Sequence, residues 1–363
     1  MCQPGLPRGS QGEGARQARG RSSQPAPNSG QKSPTRELSI SSPAVPSLLD
    51  RLEYSGYLAL EAAVRVLPAG VARALAVNGG RLAFYLTWRR SRWALVNARI
   101  AFPDASQKEL RRIVRESLGA MALDVMDLLR SAHWSEAELR ERVTISGLEH
   151  VQAALDRGRG AFLISAHLGN FELMIRRFGL AELPLLLLGR PLRNELLYAQ
   201  ITRSRTRFGK IELIDRKRAA MPMARALRAN KLVGILMDQR VRRSQGILAP
   251  LFGLRCTTTN AVASIAPHSG AAVLCATGAR LGPDRHRIEI SPPLVFEQTG
   301  DDEQDIAAAT AACNRALEER IRAHPEQWIW AHRRFRHSPD LEGDPYGREA
   351  PDWWAWLRSR ARR

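Results

Sequence analysis

The stretch Ile164-Ser165-Ala166-His167-Leu168-Gly169-Asn170-Phe171-Glu172 sets a histidine and a carboxylate five positions apart. An imidazole oriented by a carboxylate is a general base, and its partner fixes the ring tautomer and stabilises the imidazolium that forms. On one continuous helix, five residues advance roughly 500°, leaving the two side chains about 140° apart. A working pair therefore needs His167 in a turn, ahead of the helix. Gly169 permits that turn, Asn170 is a good N-cap, and Glu172 then falls in the first helical turn, where the dipole favours a carboxylate. The spacing predicts a His167–Glu172 dyad. The same nonapeptide in isolation is more often an ordinary loop hydrogen bond, so the rest of the chain must decide.

Three further blocks carry polar side chains where apolar runs stop. Leu188-Gly189-Arg190-Pro191-Leu192-Arg193-Asn194 leads into a segment bearing Arg203, Arg205 and Arg207. Gly234-Ile235-Leu236-Met237 ends in Asp238, Gln239 and Arg240. Pro325-Glu326-Gln327-Trp328-Ile329-Trp330-Ala331-His332-Arg333-Arg334-Phe335-Arg336 mixes indoles with cations able to face phosphates. Each has a plainer reading: a solvated helix face for the arginines, a cap for Asp238, core packing for the tryptophans.

Those blocks need elements to hold them. Apolar runs at Ala161–Ile164, Pro184–Leu188, Ile211–Ile214, Val233–Met237, Ala272–Ala276 and His286–Ile290 read as short strands. Helical patterns at Phe171–Phe178, Glu195–Phe208, Ala219–Ala229 and Thr258–Pro267 lie between them, and a long helix spans Gln304–Arg322. Such alternation predicts an α/β domain with a mixed, largely parallel sheet flanked by helices. Ligands of such sheets bind at the carboxyl ends of the strands, which is where the reactive blocks fall.

Upstream, Gln107–Arg142 has one apolar helical face, including Leu110, Ile113, Val114, Leu118 and Met121. From Val45 to Phe102 two apolar helical runs meet at Pro68 and end in Trp88-Arg89-Arg90-Ser91-Arg92-Trp93. Neither is an uninterrupted stretch of about 20 apolar residues, so interfacial rather than spanning membrane contact is expected. Residues 1–36 are rich in Gly, Ser, Gln, Pro and Arg, are expected to be disordered, and lack the apolar core of a secretory signal. The organisation expected is a basic leader (1–40), a helical membrane-associated region (41–145), an α/β domain (146–340) and a basic tail (341–363).

The chain has 363 residues, 44% of them hydrophobic, with 55 basic and 36 acidic side chains for a formal charge of +19. That surplus suits an anionic membrane, an acidic protein or nucleic acid. No recognisable nucleic-acid module interleaves the arginines, so nucleic acid is not an expected partner. The four cysteines, Cys2, Cys256, Cys275 and Cys313, have no paired spacing, which argues against a zinc site or a disulfide framework.

Taken together and in order, the four blocks resemble the lipid A biosynthesis acyltransferases, the late lauroyl/myristoyl type of the HtrB/MsbB group. The shared pattern is a His-x4-Glu block, an RPxxN block, a DQ block after an apolar strand, and a closing PEQWxWxHRR segment. Leu95-Val96-Asn97-Ala98-Arg99-Ile100-Ala101-Phe102-Pro103 also resembles that family's lead-in, so the likeness covers roughly Leu48 to Arg336. It implies a glycerolipid-acyltransferase-like fold and transfer of a fatty acyl group, usually from acyl carrier protein, to a hydroxyl of a glycolipid at the cytoplasmic face of the inner membrane. His167 would deprotonate the hydroxyl and Glu172 would orient it, without an acyl-enzyme, metal or other cofactor. Amides at the Asn170 helix start or a nearby arginine would stabilise the oxyanion. Asn170, Arg190, Asn194, Arg205, Asp238, Gln239 and Arg334 are the implied substrate-binding residues. The family also has relatives that acylate other glycolipids, such as phosphatidylinositol mannosides, and the His-Leu-Gly-Asn-Phe-Glu spelling does not exclude them, so the acceptor stays open. A hydrolase using the same dyad and a non-catalytic charge-driven binder are the competing readings.

Overall fold

The computed structural model describes residues 46–217 and 219–347; the expected leader and residues 348–363 of the expected tail lie outside them. In chain order the elements are α1 (Leu48–Val66), α2 (Ala69–Leu86), α3 (Trp88–Ala101), α4 (Gln107–Arg130), α5 (Glu136–Arg142), β1 (Val143–Ser146), α6 (Leu148–Asp156), β2 (Ala161–Ser165), α7 (Phe171–Leu180) and β3 (Leu185–Gly189). They continue with α8 (Glu195–Arg205), β4 (Ile211–Asp215), α9 (Ala220–Arg228), β5 (Leu232–Leu236), β6 (Ile247–Leu251), β7 (Leu254–Thr258), α10 (Ala261–Ser269), β8 (Ala272–Gly282), β9 (Arg285–Ile290) and α11 (Asp302–Ala323).

Seven strands form one sheet in the order β1-β9-β8-β2-β5-β3-β4, parallel throughout except for the β8–β9 pair. The expected α/β architecture is therefore present, and all six expected strands appear. Side chains alternate between the faces of a strand. Phe162 and Ile164 of β2 accordingly join one core cluster, with residues of α4, α9, α10 and α11. Ala161 and Leu163 join the other, with Leu139 of α5, Val151 of α6 and Leu173 and Phe178 of α7. Every residue of β2 is buried, and the strand is the middle one of the seven.

Three strands were not anticipated. β1 is a four-residue edge strand, too short to show a period. β6 and β7 make a separate antiparallel hairpin whose turn, Phe252-Gly253, holds both residues at positive φ (50° and 78°). A two-residue turn of that kind usually carries Asn or Gly first, and Phe252 hides it. Because β7 runs through Thr258, the following helix starts at Ala261 rather than at Thr258.

The N-terminal helices are tied to the closing segment and to the sheet by polar bonds. Asn97 donates to the carbonyls of Trp330 and His332, both at 2.6 Å. Arg280 of β8 pairs with Asp124 and Asp127 of α4. Along α1 only Val64 is buried, while Leu48, Leu52, Val66, Leu75, Tyr85 and Leu86 of the first two helices stand exposed. No helix among the described residues is long and apolar enough to cross a membrane.

Candidate active site

Ser165 and Leu236 are paired neighbours at the ends of the adjacent parallel strands β2 and β5. Two residues beyond each lie His167 and Asp238, so the sheet itself brings them side by side. Nδ1 of His167 lies 2.8 Å from Oδ1 of Asp238, and the His167 backbone N–H donates to Oδ2 at 3.0 Å. The indole N–H of Trp328 also donates to Oδ2, at 2.8 Å. An ionised Asp238 accepts all three bonds, which places the imidazole proton on Nδ1 and leaves a lone pair on Nε2. Burial works against a charged His167, yet the attraction and hydrogen bond of Asp238 outweigh it and hold the imidazole pKa above its ordinary 6.5. Burial likewise disfavours an ionised Asp238, and the His167 and Trp328 bonds reverse this and keep it below the usual carboxylate range.

The expected pairing of His167 with Glu172 is thus corrected. His167 does sit in a turn and Glu172 in the first turn of α7, with Asn170 as N-cap accepting from Leu173 N at 3.1 Å. The carboxylate of Glu172, however, is gripped by both arms of Arg205, at 2.8 and 2.5 Å. Arg205 comes from the last turn of α8, which packs against α7. Two parallel N–H···O bonds satisfy a carboxylate better than one imidazole. Glu172 still acts on His167 through space, favouring its charged form.

The turn is held from three sides. Gly169 has φ +56°, and a Cβ there would meet the carbonyl of Gly278 at 2.3 Å, so only glycine fits. Gly169 N–H donates to the Gln327 carbonyl at 3.0 Å, and Ile329 N–H donates to the His167 carbonyl at 3.1 Å. Leu168 and Trp328 form an antiparallel bridge. The Gln327 side chain then bonds both the N–H and the carbonyl of Arg280, at 2.7 and 3.1 Å. The C-terminal block is therefore a stitch between the histidine turn and β8. Tryptophans at alternate positions are a common packing pattern, and nothing in their spacing pointed to Asp238.

The remaining predicted residues fall into three groups. Gln239 reaches the site, its Nε2 lying 3.5 Å from Nε2 of His167. Arg190 is exposed at the end of β3. Asn170, Asn194 and Arg334 are structural in position. Asn170 donates to the Asp124 carbonyl at 3.0 Å, and buried Asn194 caps α8 while bonding the Asp50 carbonyl and Glu53 of α1. Arg334 is 0% exposed and spends its guanidinium on the Thr257 carbonyl and Thr258 hydroxyl, both at 2.7 Å, so it is corrected from a substrate-binding residue to a core one. The amides of Gly169, Phe171 and Leu173 are also committed within the protein, which removes most of the expected helix-start oxyanion donors.

Beside the imidazole, Phe171 stands edge-on to the His167 ring at 5.2 Å. It also lines a narrow apolar cavity of about 70 Å³, walled by Leu163, Met174, Phe178, Leu187 and Ile235 and reaching Ser165 and Arg205. Cys256, Cys275 and Cys313 are buried and unpaired, and burial pushes the thiols of the last two up to about 12, which leaves no thiolate nucleophile among them.

Comparisons with known proteins follow the same lines as the geometry. The family profile described as bacterial lipid A biosynthesis acyltransferase matches residues 47–337. The chain is similar to the lipid A biosynthesis palmitoleoyltransferase of Escherichia coli K12, 28% identical over 77% of this chain and 90% of the relative. It is similar to the lauroyltransferase of the same organism, 29% identical over 76% of this chain and 88% of the relative. A phosphatidylinositol mannoside acyltransferase of Mycolicibacterium smegmatis is 25% identical over 64% of this chain and 80% of its own length. A base held by a buried carboxylate beside an apolar cavity, together with a profile covering most of the chain, establishes that the chain belongs to the bacterial lipid A biosynthesis acyltransferase family and is an acyltransferase.

Proposed function

We propose that this protein moves a fatty acyl group from the thioester of acyl carrier protein to a hydroxyl of an anionic glycolipid, a lipid A precursor, at the cytoplasmic face of the inner membrane. The observation that carries the reading is the His167–Asp238 bond, which frees Nε2 as a base next to an apolar cavity. The acyl chain occupies that cavity, with its thioester carbon beside Nε2. Nε2 takes the acceptor's hydroxyl proton, and the alkoxide oxygen forms a C–O bond to the thioester carbonyl. The tetrahedral intermediate then expels the thiolate, which recovers the proton from the imidazolium. No acyl-enzyme is needed. Asp238 stabilises the imidazolium, Glu172 adds a second negative field, and the amide of Gln239 lies where it can meet the oxyanion.

The exposed apolar side chains of α1 and α2 support monotopic attachment to a bilayer surface. A formal charge of +19 supports both an acidic carrier protein and phosphorylated lipid partners. The test is acyl transfer by purified protein in detergent, with acyl carrier protein or coenzyme A thioesters and a Kdo-lipid A precursor, beside His167→Ala, Asp238→Asn and Glu172→Ala. The expected result is acylated precursor from wild type and loss by orders of magnitude in His167→Ala. His167-dependent transfer to a phosphatidylinositol mannoside alone moves the acceptor class, and activity indifferent to His167 overturns the mechanism.

A further inference from the structure

Next to the catalytic turn lies a cluster of four arginines, Arg240, Arg333, Arg334 and Arg336, with a single carboxylate partner among the described residues. Arg240 follows Gln239 directly, and its backbone N–H donates to Nε2 of His332 at 3.0 Å. Burial and the nearby cations Arg334 and Arg240 push His332 down to about 4, so it is neutral and adds no charge at pH 7. Burial, and after it the nearby guanidinium groups of Arg336, Arg333 and Arg334, lower the proton affinity of Arg240. Its Nε is buried without a hydrogen-bond partner. Arg333 is fixed over the face of Trp93 at 4.7 Å, and Arg334 is bonded only to neutral oxygens.

Among these four arginines, only Arg336 has a carboxylate partner among the described residues, Asp344 at 3.3 Å. Two other arginines near the site do have carboxylate partners: Arg205 has Glu172, and Arg280 has Asp124 and Asp127. Like charges held together without an anion cost stability unless a ligand supplies one. A single carboxylate would neutralise one cation of three. A phosphate ester brings one to two negative charges and several acceptor oxygens, and guanidinium forks match its geometry.

We propose that Arg240 and Arg333 form a phosphate seat beside the reaction centre, binding a phosphate group carried by one of the two substrates. This rests on the acyl-transfer reading above. The phosphate belongs either to the glycolipid acceptor or to the phosphopantetheine arm of the donor, and both present the same chemistry. Arg334, although it belongs to the same motif, takes no direct part because it is fully enclosed.

The experiment has a binding arm and a kinetic arm, both on the full chain. Inorganic pyrophosphate is titrated calorimetrically into wild type and into the Arg240→Gln/Arg333→Gln double variant, with the fold checked by circular dichroism. Saturable, salt-sensitive binding by wild type that weakens at least ten-fold in the double variant supports the seat. Equal binding by both, or none by wild type, overturns it, and does so whether or not acyl transfer is ever observed. In the kinetic arm, KM is measured for each substrate in turn. A rise of roughly 10- to 100-fold, the scale of one lost charge-assisted hydrogen bond, is expected for one substrate and not the other. A rise for the acceptor that a dephosphorylated acceptor does not show assigns the seat to the acceptor, and a rise for the donor assigns it to the phosphopantetheine. Lysine at both positions restores part of the affinity, because it returns charge without the fork. If KM for both substrates stays within two-fold while transfer still depends on His167, the seat is wrong and the acyl-transfer reading stands.

Discussion

Asp238→Asn separates the carboxylate that touches the base from the one that sequence spacing favours. In the native site Oδ2 of Asp238 accepts from two fixed donors, the His167 N–H at 3.0 Å and the Trp328 indole at 2.8 Å. An asparagine oxygen must take that place, since an NH2 there would face two donors. Its NH2 is then left pointing at Nδ1 of His167, where it can only donate. The ring must accept at Nδ1 and carry its proton on Nε2, which removes the base from the acceptor hydroxyl. The same tautomer error in a serine-protease triad costs about 10⁴ in kcat. The expected loss here is of that order, about 5 kcal/mol of transition-state stabilisation. The pH profile supplies a second readout. Asp238 outweighs burial to hold the His167 pKa above 6.5, so removing its charge lets burial prevail and depresses that pKa. The acid limb of kcat/KM, set above pH 6.5 in wild type, moves to lower pH in whatever activity remains. The assay is kcat/KM from pH 5 to 9, with nitrogen NMR of the His167 ring to read the tautomer. Activity within ten-fold of wild type, or an acid limb that stays in place, would refute the argument.

Glu172→Gln strips Arg205 of its only carboxylate partner among the described residues, and breaking such a pair costs about 3–5 kcal/mol when fully buried. At 15% and 21% side-chain exposure this pair should fall at or below the lower end, read as a drop in urea midpoint, with a smaller loss of kcat than Asp238→Asn gives. Gly169→Ala should abolish transfer and lower Tm, because its Cβ would enter the Gly278 carbonyl at a positive φ; near-native activity in a steady-state assay would count against the rigid turn. Gly234 of β5 lines the apolar cavity, and a Cβ there meets Leu187 at 2.6 Å. Gly234→Val is therefore expected to shift donor preference toward shorter acyl chains, measured by competition between C10, C12 and C14 thioesters. Acidification should also destabilise the fold: His332 is held neutral down to about pH 4 in the folded protein, whereas an unfolded histidine takes its proton near 6.5. Its share of stability is complete above pH 6.5 and declines as pH falls toward 4, by up to about 3 kcal/mol. Denaturation at pH 7 and 4.5 should show a shallower loss in His332→Gln.

Local sequence chemistry told much about the histidine turn. Gly169, the Asn170 cap and Glu172 in the first helical turn all follow from residue types and a five-residue spacing. The partner of the histidine did not follow, because that bond spans 71 residues and depends on β5 lying next to β2. Strand order is decided by how the crossover helices pack, and no window of the sequence contains it. Arg334 failed for a related reason. Its arginine neighbours on the chain, Arg333 and Arg336, are partly open, and a side chain's burial within a polar run depends on what folds over it. The hairpin β6–β7 was hidden by a phenylalanine where turns usually carry asparagine or glycine.

The stitch from Gln327 to Ile329 has a consequence for the order in which this enzyme comes to life on the ribosome. His167 and Asp238 are made early, but the indole that anchors Asp238 is encoded 90 residues later. At roughly 5–20 residues per second, about 5–18 s of synthesis separate the carboxylate from its anchor. During that interval the histidine turn lacks its carbonyl and amide partners from the closing segment. A nascent chain therefore holds His167 and Asp238 well before the indole that fixes the carboxylate has been made. The geometry of the histidine turn is completed only when the closing segment, Gln327 to Ile329, is in place against it.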